Sequence, residues 1–169
     1  SLHKHIGNIV LEGFTAPKIL WLKQQEPKNY ERLKTLLLAK DYVRYRLTGE
    51  VATDPSDASG TILYDVRNKK WSQYITNALD IDTVILPVVV ESTEVAGNLS
   101  RAVAKDLSLP PNTPVVCGGA DNAVGAVSTG IVEVGQLQSS IGTSGTMLTP
   151  TAKAQIEKAM KLHTFCHCV

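Results

Sequence analysis

Apolar and polar positions alternate with two different periods along this chain, and the changes of period mark out its elements. Residues 15–25 repeat at helical spacing, with Ile19 and Leu22 on one face. Thr15 is the expected N-cap, and Pro17 lies in the first turn, where a missing N–H does no harm. Pro27 ends that helix and is expected to open a second over 28–37, with Tyr30, Leu33, Leu36 and Leu37 in helical register. A third covers 40–49: Asp41 can cap it, Arg44 and Arg46 are expected to face out, and Gly49 stops it. Tyr42 and Tyr45, three apart, are expected to pack in a core or groove. Residues 51–60 are polar and rich in breakers, hence a loop. Two acids there, Asp54 and Asp57, invite a metal or catalytic reading, but beside Pro and Ser they are expected to make turns and cap the next helix.

Further along, 71–79 reads as helix and 81–90 as an apolar connection broken by Pro87. A strand or hairpin arm is expected over 94–99. Ser100 caps a helix over 101–107, and 110–114 forms a rigid turn into the stretch 115–124. That stretch organises the rest. A buried-type strand, 114–117, runs into Gly118 and Gly119, which let a ligand approach the backbone closely. Asp121 and Asn122 then fall at the carboxyl end of a strand and the start of a helix over 122–129, where ligands bind in open α/β sheets. An aspartate there can accept a proton from a substrate hydroxyl, or it can simply cap the helix. Both readings stand. After residue 129 the pattern changes to two strands, 135–141 and 146–149, joined by Gly142-Thr-Ser-Gly145 in a hairpin. Residues 153–160 are a loop or short helix, and 162–169 look strand-like.

Composition narrows the function classes. Seventeen basic and sixteen acidic side chains leave a net charge of +1, which gives no electrostatic case for nucleic acid or membrane as partner. No apolar run is long enough to span a bilayer. Three cysteines, an odd number, do not form a disulfide framework, and a reducing cytoplasm is the simplest expectation. The chain opens on Ser1-Leu-His-Lys-His5 without Met, a stretch that can include a cloning remnant, and stops within an apolar run. It is therefore expected to be an excerpt of a longer protein, with a boundary near 132–135 where the α/β succession gives way to a strand meander.

The candidate chemistry lies in two places. The Gly142–Gly145 turn offers unobstructed backbone N–H groups and two hydroxyls, Thr143 and Ser144, which suit phosphate oxygens. It lacks the lysine and spacing of a Walker A loop, and a plain structural turn is the competing reading. Together with Asp121 it supplies two parts of a phosphotransferase, a proton acceptor and a phosphate cradle. His163, Cys166, His167 and Cys168 do not make a metal site, because neighbours on a strand point to opposite faces and zinc ligands are spaced more widely. Cys117 reads as a small core residue rather than a nucleophile.

Several ordered motifs carry a resemblance. Gly118-Gly-Ala-Asp-Asn-Ala-Val-Gly-Ala-Val-Ser-Thr-Gly130 and Ser140-Ile-Gly-Thr-Ser-Gly145 resemble the central segment of the FGGY carbohydrate kinases, and most closely their xylulokinase-like branch. Phe14-Thr-Ala-Pro-Lys-Ile-Leu-Trp21, Lys40-Asp-Tyr42, Leu47-Thr-Gly49, Ser56-Asp-Ala-Ser-Gly-Thr61 and His163-Thr-Phe-Cys-His167 are similar in the same order. The resemblance implies an α/β fold of the ribonuclease-H-like, actin- and hexokinase-type class. Residues 1–134 would be the later part of a first, sugar-side domain, and 135–169 the first strands of a second. It implies ATP-dependent phosphorylation of a sugar hydroxyl, with D-xylulose, a ketopentose, as the expected acceptor. Asp121 matches the catalytic base and Asn122 a neighbour on the sugar side. Gly142, Thr143, Ser144 and Gly145 match the turn that meets the ATP phosphates, with Mg²⁺ arriving beside the nucleotide and no metal ligand in the chain. Gly13 stands where the glycerol-kinase branch has a tyrosine, which weakens glycerol as substrate. A first-domain phosphate hairpin and the adenosine contacts are missing, so the excerpt alone is expected to be inactive. A homo-oligomer is the expected assembly. The alternatives are a kinase of another sugar or polyol, or a non-catalytic association module that keeps a relic of the site.

Overall fold

The computed structural model describes residues 6–159 and 161–169. The expected cloning remnant at 1–5 and the end of the 153–160 segment, Met160, lie outside them. Helix α1 (Thr15–Gln25) has Phe14 rather than Thr15 at its N-cap, and no side chain caps it. Ala16 and Ile19 face inward and join Ile6, Ile62, Leu63, Ile75, Ile81 and Ile85 in the main apolar core. Helix α2 is a single turn, Pro27–Tyr30, where the sequence pattern continues to residue 37. Leu33 and Leu36 still pack against the core, but from an extended segment whose Leu36 N–H donates to Ile85 O at 2.7 Å. That tertiary hydrogen bond overrides the helical propensity of the leucines.

Helix α3 (Ala39–Thr48) ends at Gly49, whose φ of 84° suits glycine in the C-cap region. One expectation fails here in an informative way. Arg44 is buried, and so is Asp41, which sits inside the first turn rather than capping it. Only Arg46 faces out, over the exposed Tyr42 ring. Tyr42 and Tyr45 meet each other at the surface and not in a core.

The supposed loop 51–60 is a strand followed by a helix. Strand β1 (Ala52–Thr53) leads into Asp54, whose carboxylate accepts the N–H groups of Ser56 and Asp57 and caps α4 (Pro55–Gly60). The capping role expected of this pair falls to Asp54. Next come the antiparallel pair β2 (Tyr64–Asp65) and β3 (Lys70–Trp71), α5 (Gln73–Ala78) and a 3₁₀ turn, Thr83–Ile85. Strand β4 (Val88–Val89) then pairs parallel with β1. Strand β5 (Val95–Asn98) pairs antiparallel with β6 (Pro114–Val116), with a register shift between Val95 and Gly97. Between them lies α6 (Arg101–Asp106), capped by Ser100 as expected. Strand β6 is less covered than its sequence suggests: Val116 is exposed, and Cys117 just beyond it is buried.

Helix α7 (Asp121–Ser128) follows, and β7 (Gln138–Ile141) and β8 (Gly145–Leu148) form the expected hairpin, paired from Gln138↔Leu148 to Ile141↔Gly145. Residues 162–169 form no strand among the described residues, because their polar groups go to side chains and single carbonyls instead of a ladder. Thr164 N–H donates to Asn8, Cys166 N–H donates to Ser59 Oγ, and His167 meets Ile131 O. No helix among the described residues is long and apolar enough to cross a membrane.

Candidate functional site

Strand β6 ends at the point where the chain must turn sharply into α7. Gly118 takes a φ of 77°, and a side chain there would also press on the Lys40 stem. Gly119 has a different constraint. A Cβ on it would come within about 3.1 Å of Cys168, Ser56 and Val124 at once. Small residues let this turn sit flush against α3 and α4. Asp121 is then delivered to an open cleft of about 540 Å³, lined by Leu38, Ala39, Lys40, Asp57, Gly119, Asp121 and Val124.

Polar bonds from three other segments hold the turn. Arg44 Nη1 donates to Cys117 O at 2.8 Å, and its other end donates to Ala52 O. Ala120 N–H donates to Ser56 Oγ at 2.8 Å, and the Ser56 hydroxyl passes its own hydrogen to Asp54. Ser92 Oγ also donates to Asp54, at 2.6 Å, while Ser92 O accepts the Gly118 N–H.

Lys40 lies at the centre. Its ammonium is 2.7 Å from Asp41 Oδ1, 3.0 Å from Asp54 Oδ1 and 3.4 Å from Asp57 Oδ2. Burial alone would lower its pKa, but the hydrogen bond to Asp41 and the charges of Asp41 and Asp54 outweigh it and raise it, so Lys40 stays charged. The two acids beside it respond in opposite directions. Burial would raise Asp54, yet the hydroxyls of Ser56 and Ser92 and the Lys40 charge hold it below the usual carboxylate value. Asp57 receives no such hydroxyls, and burial pushes it up despite Lys40.

The expected site residues separate. Asp121 is exposed at the first position of α7, with Ala120 as N-cap, and its Oδ1 accepts the Asn122 N–H at 2.7 Å. Asp121 is therefore not the N-cap of α7, and no side chain caps that helix, while the Asp121 carboxylate borders the cleft. Asn122 is exposed beside it and does not line the cleft. Gly142, Thr143, Ser144 and Gly145 form the β7–β8 link and are not among the residues that line the cleft. Gly142 N–H closes the turn on Ser144 O at 2.9 Å. Neither hydroxyl of the turn bonds another described residue, and the turn contains no carboxylate, so its donor set fits phosphate oxygens.

The cysteines and histidines disperse. His163 stacks on Phe165 and meets Asn8, whereas Cys117 is buried with its thiol pushed up by desolvation. Lys40, Arg44, Ser56 and Ser92 were not singled out by sequence reasoning as site residues, and Asp57 was expected to serve a turn or cap instead of the site. The available signal was Asp41 and Arg44 at i, i+3, which can pair across one helical turn.

The chain as a whole has relatives among known proteins. The model of the FGGY family of carbohydrate kinases, N-terminal domain, matches residues 1–128. The chain is 43% identical over 169 residues to a xylulose kinase of Staphylococcus xylosus, covering all of this chain and 35% of that protein. With a xylulose kinase of Lactococcus lactis it shares 45% over 164 residues, 96% of this chain and 32% of the relative. The solved structure of a xyloylose kinase from Brucella ovis superposes with a TM-score of 0.96 at 36% identity, over 99% of this chain and 35% of that one. The chain thus spans about a third of the length of the proteins it matches.

Proposed function

The chain belongs to the FGGY family of carbohydrate kinases, and from that premise we propose that it is part of a kinase that phosphorylates a ketopentose, D-xylulose. The observation that carries this reading is the identity of 43% to a xylulose kinase along the whole chain, joined to a cleft that presents Asp121.

In this reading Asp121 takes the proton from the sugar hydroxyl that attacks, and Asn122 steadies the sugar side of α7. The Asn122 N–H on Oδ1 fixes one carboxylate oxygen, which leaves Oδ2 for the substrate. Gly118 and Gly119 bring the backbone close, and Leu38, Ala39 and Val124 give the cleft an apolar wall against sugar C–H groups. Gly142, Thr143, Ser144 and Gly145 would hold nucleotide phosphate oxygens through N–H and hydroxyl donors. ATP, when bound with Mg²⁺, supplies the phosphoryl group and the cation that offsets its charge. Residues 1–134 would carry the sugar side and 135–169 the phosphate side of a two-domain enzyme. The 169-residue polypeptide by itself would lack turnover, since phosphoryl transfer depends on positioning by a complete cradle.

Sugar-dependent ADP release by the full-length protein that carries this chain tests the proposal. D-xylulose should give the highest kcat/KM in a panel that includes other pentuloses, glycerol and gluconate. Release that ignores every sugar would refute the kinase reading, and a tenfold preference for another acceptor would reassign the substrate.

A further inference from the structure

The acids around Lys40 are not equivalent. Asp41 Oδ1 accepts from both Lys40 and Arg44, at 2.7 and 3.0 Å. Asp54 Oδ2 takes the Ser56 N–H and the hydroxyls of Ser56 and Ser92, and its Oδ1 faces Lys40 at 3.0 Å and the Asp57 N–H at 3.4 Å. Asp57 has only the longest ion pair, Oδ2 to Lys40 at 3.4 Å, and no other side-chain partner among the described residues. It is the one member of the three whose side chain keeps appreciable exposure, 22% against 0% for Asp41 and Asp54. That exposed part opens on the cleft shared with Asp121.

We propose that Asp57 is a second sugar-binding carboxylate, which accepts a hydrogen bond from a hydroxyl other than the one phosphorylated, and that Lys40 is the residue that positions it. This rests on the reading of the cleft as a sugar site. The Lys40 ammonium is shared among Asp41, Asp54 and Asp57, at 2.7, 3.0 and 3.4 Å, and the Cys117 carbonyl at 3.5 Å, four acceptors against the three hydrogens that an ammonium carries. Lys40 therefore has no donor to offer a ligand, and its part is to orient. Asp57 has the reverse balance. An ionised carboxylate can take about four hydrogen bonds, and this one is partly desolvated with a single long ion pair. Leaving such a group under-satisfied costs free energy, consistent with the upward push on its pKa. A polyol entering the cleft brings the hydroxyl donors that this carboxylate lacks. Asp54, on the opposite side of Lys40, already has its hydroxyls from Ser56 and Ser92, and it is buried beyond a ligand's reach.

The test is calorimetric sugar binding to the full-length protein and its Asp57→Ala, Asp57→Asn and Lys40→Met variants, with D-xylulose and its singly deoxygenated analogues as probes. Asp57→Ala should weaken D-xylulose binding about ten- to hundredfold, the range for a hydrogen bond to a charged group. In the wild type, one deoxy analogue should bind correspondingly worse. In Asp57→Ala that penalty should vanish, which identifies the hydroxyl. Lys40→Met should weaken binding too, yet add little on top of Asp57→Ala, because the two act as a unit. A Lys40 with a merely structural role would instead give additive losses. Asp57→Asn keeps the shape, so a matched melting curve separates lost recognition from misfolding. Wild-type sugar affinity in folded Asp57→Asn and Asp57→Ala, or a deoxy penalty that survives in both, overturns the assignment and leaves the kinase reading intact. Sugar that binds through Asp57 without being phosphorylated does the opposite. A wild type that binds none of the probes overturns both.

Discussion

The turn that presents Asp121 and the hairpin that carries the Gly142–Gly145 link are built in opposite ways. The first is fixed from outside itself. Arg44 of α3, Ser56 of α4 and Ser92 of the segment before β5 each bond its backbone, and Asp41 and Asp54 behind them are buried. The hairpin is fixed by its own ladder, Gln138↔Leu148 to Ile141↔Gly145. Residues at alternate positions of a strand share a face, and one face here carries Leu137, Ile141 and Met147, exposed by 56, 88 and 71%. A proton acceptor has to be held to within a fraction of an ångström, and buried charge-assisted bonds supply that rigidity. In the proposed reading, a turn that meets phosphate makes no such demand, and an exposed ladder suffices to carry it.

Substitutions should separate the two regions by the size of their effects. The largest is expected at Asp41. Asp41→Ala strands Arg44 as a buried charge and should cost about 3–5 kcal/mol of folding stability by chemical denaturation. Thr143→Ala in the exposed turn should stay within about 0.5 kcal/mol. Comparable losses at both would dissolve the contrast.

Acid comes next. The folded-state pKa of Asp54 is depressed, so its contribution to stability is present above the unfolded value of about 3.9 and is lost as pH falls through the lower folded value. Asp57 has the opposite sign: its raised folded pKa favours the folded state below the unfolded value, and that contribution is lost as pH rises through the folded one. Asp54→Asn should therefore flatten the acid limb of the stability curve, and Asp57→Asn should steepen it. Urea midpoints between pH 2 and 6 read both, and an unchanged limb in Asp54→Asn would remove Asp54 from the account.

The smallest effect on stability is expected at Ile141. Ile141→Lys should leave the melting temperature nearly unchanged while reducing self-association of the 169-residue polypeptide in light scattering. A wild-type polypeptide that stays monomeric at high concentration would show that the face engages its own chain.

Local signals were legible in the sequence, and long-range ones were not. Ser100 before α6, Gly49 after α3 and the glycine-bounded link between β7 and β8 each act on backbone groups a few residues away, so their roles can be read from spacing. Leu36 could not be placed that way. Its N–H is claimed by Ile85, nearly fifty positions along the chain, and the helical pattern around it gives way. Arg44 looks like a surface residue until Ala52 and Cys117 supply carbonyls for it. Asp121 was visible because a glycine turn precedes it. Asp57 stood in plain view beside Asp54, but only the folded chain shows Lys40 between them and the difference in what each lacks.

The central claim is that the rigid turn positions Asp121 to take a proton from the sugar. The direct measurement is single-turnover phosphoryl transfer by full-length Asp121→Asn at saturating D-xylulose and ATP, with ATP affinity measured on the same protein. Loss of a positioned base predicts a rate lower by at least about 10²-fold, with ATP affinity within about twofold of wild type. A near-normal rate would contradict the account and leave Asp121 with only its hydrogen bond to the first turn of α7.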